Sequence, residues 1–197
     1  THDVSGTSDA ANFNVAFGVT ALDAVTTGDS NVAIGYDALT ANTTGSENTS
    51  VGKSSMNSNT TGINNTAVGQ SAFSQNTTGG HNIGIGANAG YANTTGTRNI
   101  AIGSNAYDLS DTENDNLAIG YNAMTTNTAG GTKNVALGNY ALDALTSGDS
   151  NIGIGYNANG AITTGGANVA IGDEALLANT DGSNNVAIGA NALHTST

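Results

Sequence analysis

Four carboxylates within eight residues, Asp108, Asp111, Glu113 and Asp115, form the densest group of metal-ligating side chains in the sequence. Hard divalent cations take oxygen ligands, so an acidic turn of this kind is where Ca²⁺ would sit. The run lacks the spacing and internal Gly of a known calcium loop. Two readings stay open: a weak Ca²⁺ site, or a solvated acidic turn. Other chemistry is thinner. Gly84-Ile-Gly-Ala-Asn-Ala-Gly90 and the stretch from Gly153 to Gly160 have the glycine density of a phosphate-cradling loop, but that fingerprint needs a following helix. No cofactor is expected. His2, His81 and His194 fall at unrelated places in the chain. The absence of Cys excludes a thiolate metal site, a cysteine nucleophile and a disulfide scaffold. No Ser is set off with a base and an orienting third group. The chain reads as non-enzymatic.

Two further patterns carry chemistry of a looser kind. Asn42, Asn59, Asn76 and Asn93 each open Asn-Thr-Thr, and Asn48 opens Asn-Thr-Ser, all of them N-glycosylation acceptor sequences. The pairs Thr43/Thr44, Thr60/Thr61, Thr77/Thr78 and Thr94/Thr95 would stack into rows such as an ice-binding face uses. Neighbours on an extended chain point to opposite sides, so each pair offers one outward Thr. The row also decays at Ala129, Ser147 and Asp181. Ice binding is therefore the less favoured alternative.

What positions these residues is an internal repeat, the first thing to seek in such a chain. Asn-Val-Ala-Ile-Gly or a close relative begins at Asn14, Asn31, Asn48, Asn65, Asn82, Asn99, Asn116, Asn134, Asn151, Asn168 and Asn185. The spacing is 17 residues, except for 18 between Asn116 and Asn134. The extra residue belongs in a turn, at Gly130-Gly131. Counted from each Asn, the second and fourth positions are aliphatic nearly everywhere, a period of two bounded by Gly, which is the pattern of a short strand. Gly at the fifth position permits a sharp bend. A second short strand is expected from the Ala at the eighth position and the large apolar residue at the ninth, as in Ala38-Leu39. Helix is disfavoured by the frequent Gly and the runs of Thr and Asn.

The reading is an all-β parallel β-solenoid of about eleven coils covering 14–197, preceded by a cap or linker over 1–13. Eleven rungs at the strand spacing make a rod on the order of 50 Å long. The twelfth position, Asn42, Asn59, Asn76, Asn93, Asn127 and Asn179 but Val25, Leu145 and Ile162 elsewhere, is expected to face inward and stack its amides. The first-position Asn is a second candidate ladder or a turn residue. The third position is always small: Ala16, Ala33, Ser50, Ala67, Gly84, Ala101, Ala118, Ala136, Gly153, Ala170 and Ala187. Lying between two aliphatics taken as inward, it is expected to face out and to form a flat subunit interface. Tyr36, Lys53, Gln70, Tyr121 and Tyr156 are expected at exposed corners.

Composition narrows the partners. Three Lys/Arg stand against fifteen Asp/Glu, a net charge of −12. Nucleic acid, which is bound by basic side chains, is excluded as a partner. No apolar run is long enough to span a bilayer. Thr1 to Gly6 have neither a basic nor an apolar leader pattern.

Asn-Val-Ala-Ile-Gly-x-x-Ala is similar to the head repeat of YadA-like trimeric autotransporter adhesins. The fuller unit, with Leu-x-x-Asn-Thr-Thr-Gly, resembles repeats of bacterial and phage tail-fibre domain proteins. The resemblance runs from Asn14 to the C-terminus. It implies a left-handed parallel β-roll, three chains packed side by side, and a place at the cell surface or in an extracellular or virion fibre. Either reading within this class, adhesin head or fibre shaft, is structural, and a subunit polymerising end to end is a third.

Overall fold

The structure, a computed structural model, describes residues 13–126 and 130–195. It is all-β. Eleven strands of three residues run from Val15–Phe17 (β1) and Val32–Ile34 (β2) to Val169–Ile171 (β10) and Val186–Ile188 (β11). They form one parallel sheet in which each strand neighbours the next in sequence. Register follows the repeat, with Val32 opposite Thr49 and Ile34 opposite Val51. The ladder is close to ideal, Val32 N–H donating to the Asn48 carbonyl at 2.8 Å and Gly52 N–H to the Ile34 carbonyl at 2.7 Å. The 18-residue coil does not disturb it. Val135 stands opposite Leu117 on one side and Ile152 on the other.

The strand is turned over relative to the expectation. Third-position residues face the interior of their own coil, with Ala33, Ser50, Ala67, Ala101, Ala118, Ala136 and Ala170 all fully buried. The flanking aliphatics face out, Ile34 being 38% exposed, Ile85 41% and Leu137 42%. Crowding inside the coil is the reason. A Cβ on Gly153 would lie 2.9 Å from the Ala158 carbonyl oxygen and 3.1 Å from Leu142 Cγ. The third position abuts the eighth across a very thin interior, and only Gly, Ala or Ser fits. Where both are Ser, the hydroxyl of Ser50 donates to the Ser55 carbonyl at 2.8 Å.

The second difference is that no second strand forms among the described residues. The stretch after each Gly bend is a run of turns, with left-handed residues at the seventh and ninth positions, such as Asp37 (φ 56°) and Leu39 (φ 51°). The last residue of each coil is left-handed too, Glu47 at φ 60° for example. Rung-to-rung bonding continues regardless, Leu39 N–H to the Ser55 carbonyl at 3.1 Å and Thr43 N–H to the Thr60 carbonyl at 2.9 Å. A bulky side chain at positive φ is unusual and costs on the order of 1–2 kcal/mol. Burial offsets it, because the ninth position supplies the large core residues. Leu22, Leu39, Met56, Phe73, Tyr107, Met124 and Leu142 are all fully enclosed. The bend Gly35, at φ 136°, has a further reason to be Gly: a Cβ there would lie 2.7 Å from the carbonyl carbon of Gly52, its neighbour in the next coil.

The apolar interior falls into three clusters, Ala21 to Phe73, Ala89 to Ile162, and Ala158 to Ala187. The breaks lie where the ninth position is not large and apolar. At Gly90 the gap is filled from the coil before it, since a Cβ there would meet the Phe73 ring at 2.7 Å. At Asn159 the ninth position is polar. Its amide is fully buried and neither its Oδ1 nor its Nδ2 has a hydrogen-bond partner among the described residues.

Candidate functional site

Two asparagine ladders hold the coils together. The first-position ladder is unbroken. Asn31 Oδ1 accepts the backbone N–H of Asn48 at 3.0 Å, and the same bond recurs from Asn14 through Asn185. From Asn14 to Asn168 each Nδ2 closes its own coil, Asn31 donating to the Gly45 carbonyl at 2.9 Å and Asn48 to the Gly62 carbonyl at 2.8 Å, whereas Asn185 donates to Asn168 Oδ1 at 3.0 Å. One side chain therefore satisfies both a coil end and the next coil's orphan donor, as buried polar groups require.

The twelfth-position ladder is shorter than its sequence pattern. Asn59, Asn76 and Asn93 each donate Nδ2 to the preceding Asn Oδ1 at 2.8 Å, making one run from Asn42 to Asn93. Asn179 bonds only its own turn, accepting from Gly182 N–H and donating to the Gly182 carbonyl. Asn127 lies outside the described residues. The run ends at Asn93, whose Oδ1 is left without a partner among the described residues because the next coil has Ser110. The buried amides of Asn42, Asn48, Asn59, Asn76 and Asn93 are not presented to a glycosylating enzyme in the folded chain.

The acidic turn of the sixth coil is dispersed into separate roles. Glu113 stands where other coils have Gly, turns inward and is only 4% exposed. Its carboxylate accepts the backbone N–H groups of Asp111 at 2.9 Å, Thr112 at 3.1 Å and Gly130 at 3.0 Å. Asp115 pairs with Arg98 through two bonds of 2.5 Å and 3.0 Å, and this hydrogen bonding holds its carboxyl below the ordinary range. Asp111 is exposed. Asp108 points elsewhere again, and burial pushes its carboxyl up. Among the described residues no three His, Cys, Asp or Glu side chains are placed to share a metal ion. The structure does not bring Asp108, Asp111, Glu113 and Asp115 together as a ligand set: Glu113 bonds backbone N–H groups and Asp115 pairs with Arg98.

Glu113 also explains Ser110. A Cβ on Gly96 would lie far inside contact distance of Asn93 Oδ1. An Asn at the twelfth position therefore demands Gly three residues on, and Ser110 is what makes room for Glu113.

The Thr pairs divide their work. Thr43 Oγ1 donates to the Thr60 carbonyl at 3.0 Å, and Thr60 and Thr77 repeat the bond. The second Thr of each pair is exposed. Of the histidines, His194 lies 3.2 Å from the Glu174 carboxylate, His81 is exposed, and His2 falls outside the described residues. Tyr36, Lys53, Gln70, Tyr121 and Tyr156 do stand at exposed corners. Tyr121, Tyr140 and Tyr156 meet edge to face, their ring centres 5.6 Å and 5.8 Å apart.

Two surfaces were not foreseen. One is the row of outward aliphatics on β1–β11, running the length of the sheet. Alternation says that neighbours oppose one another but not which side is inside, and the uniform smallness of the third position was the usable clue. The other is a groove of about 440 Å³ lined by Ser71, Asn88, Tyr91, Asp108 and Leu109. No helix among the described residues is long and apolar enough to cross a membrane. No protein-family profile, curated protein or solved structure matches the chain.

Proposed function

We propose that the chain is a non-enzymatic structural module of an extracellular fibre or adhesin, in which copies pack side by side, as a trimer, along the strand face. The observation that carries this is the outward aliphatic row. Val15, Phe17, Ile34, Ile83, Ile85, Leu137, Val186 and Ile188 are each more than a third exposed, and the same two positions are apolar or Thr in every other strand. Two rows about 7 Å apart over about 50 Å of stacked strands make an apolar stripe on the order of 500 Å², as large as the largest patch of a typical monomer. Water contact along such a stripe is costly, and covering it with the same stripe from a copy removes the cost for both. The subunit contact thus moves from the third position, where the sequence pattern put it, to the second and fourth.

The rest of the surface suits a rod that presents corners and not a pocket for chemistry. Weak contacts repeated along a rod and multiplied by chain number add through avidity. The resemblance of the Asn-Val-Ala-Ile-Gly-x-x-Ala sequence to adhesin-head and tail-fibre repeats motivates the same reading. Because the chain has no Cys, single-cysteine cross-linking tests it cleanly. Ile119→Cys, on the outward row, is expected to give chain-to-chain disulfides under mild oxidation. Thr44→Cys, on an exposed turn away from the strand, is expected to stay single. Cross-linking at Thr44→Cys but not at Ile119→Cys would overturn the proposed contact.

A further inference from the structure

We propose that the groove between the fourth and sixth coils binds a cationic group, the ammonium or guanidinium of a basic peptide side chain. It is made by Ser71 and Asn88 at the seventh position of successive coils, Tyr91 and Asp108 at the tenth, and Leu109. None of these belongs to a strand, so the site is independent of the aliphatic row and of the function proposed above. Its volume of about 440 Å³ suits a small ligand group.

The lining selects the chemistry. An ionised carboxylate only accepts hydrogen bonds. Asp108 is part-buried, its carboxyl is raised by desolvation alone, and no donor among the described residues reaches it. Asn88 donates one of its two Nδ2 protons to Asn105 Oδ1 at 3.2 Å, and no donor among the described residues reaches its own Oδ1. The groove thus holds one ionisable acceptor, the Asp108 carboxylate, and the Asn88 Oδ1, beside a phenol ring that attracts cations over its face. A saccharide could use the Ser71 and Tyr91 hydroxyls and the second Nδ2 proton of Asn88, but none of its groups answers the charge of Asp108. A cation is donor-only and brings the charge that the desolvated carboxylate lacks. The net charge of −12 raises the local concentration of such a ligand.

The test is amide-resolved NMR titration with N-acetyl-arginine amide, with its neutral isostere N-acetyl-citrulline amide, and with maltotriose. The arginine derivative is expected to shift the amides of Ser71, Asn88, Tyr91 and Asp108 saturably in the millimolar range. Asp108→Asn is expected to weaken that binding about tenfold or more, as loss of a charge-assisted bond does. Asp173→Asn, the same charge change on a distant corner, is expected to leave it unchanged. Equal binding of the citrulline derivative, or saturation of the same amides by maltotriose alone, would overturn the cationic assignment. Shifts scattered over exposed carboxylates, or no shifts, would remove the site itself.

Discussion

Replacing Asn159 by Leu is expected to stabilise the protein, against the usual direction of core substitutions. Asn159 occupies the ninth position, where Leu39, Leu142 and Leu176 are buried at the same left-handed backbone, φ 52° for Asn159 and φ 51–56° for the three leucines. The backbone therefore accepts Leu. Burying the Leu side chain contributes about 1.5–3 kcal/mol, and removing a buried amide with neither atom bonded adds about 1–3 kcal/mol. Two terms oppose. Leu is less at ease than Asn at positive φ, by about 1 kcal/mol, and Leu142 already presses toward Gly153 in the same coil, where crowding costs about 1–3 kcal/mol. The net is a gain of about 1–2 kcal/mol, which for a chain of this size raises the melting temperature by roughly 2–8 °C. Urea unfolding followed by circular dichroism reads it directly. A midpoint unchanged or lowered would mean that the amide is satisfied in solution, and that the gap between the second and third core clusters is not a defect.

The Ser110/Glu113 pairing predicts strong non-additivity. Ser110→Asn alone is expected to destabilise by about 1–3 kcal/mol through collision with Glu113, while Ser110→Asn with Glu113→Gly extends the amide run past Asn93 and recovers that loss. A double-mutant cycle with additive terms would contradict the coupling. The strand facing predicts that Ala136→Leu, directed inward, costs about 1–3 kcal/mol or more, whereas Leu137→Ser, directed outward, shifts the unfolding midpoint of dilute protein by less than about 1 kcal/mol; the reverse order would invert the sheet. Asp108 gives a pH signature. Its folded carboxyl titrates above its unfolded value, so ionisation weakens the fold as pH rises through the folded pKa and has no effect below the unfolded one. Asp108→Asn should therefore be more stable than the wild type at pH 7 and equal to it once the carboxyl is protonated, and a deficit at pH 7 would contradict the desolvation.

Much of the fold is legible in the sequence because a repeat reports each position eleven times over. The Asn-Val-Ala-Ile-Gly segments are the strands, Gly35 and its equivalents are the bends, and the substitution of Val25, Leu145 and Ile162 for Asn betrays an inward twelfth position. The left-handed turns are not legible, since no propensity places Leu39 or Phe73 at φ 51° or 48°. That failure propagates. Once the ninth position is seen to fill the coil, there is no room for Val32 and Ile34 inside, and Ala33 must take the inner side instead. The same crowding hid the outward row behind a plausible stripe of small residues. Glu113 offers the sequence either a weak cation ligand or a solvated turn residue, because its charge is visible there while the backbone donors that hold it inside are not.

The central claim is that the outward aliphatics make the chain associate through its strand face. Light scattering on the purified chain across micromolar concentrations tests it most directly. The account predicts a mass near ~58 kDa, three times the 19.3 kDa chain, falling to a single chain when Ile102 and Ile119 are both replaced by Lys. A wild-type mass of 19.3 kDa at every concentration would contradict it.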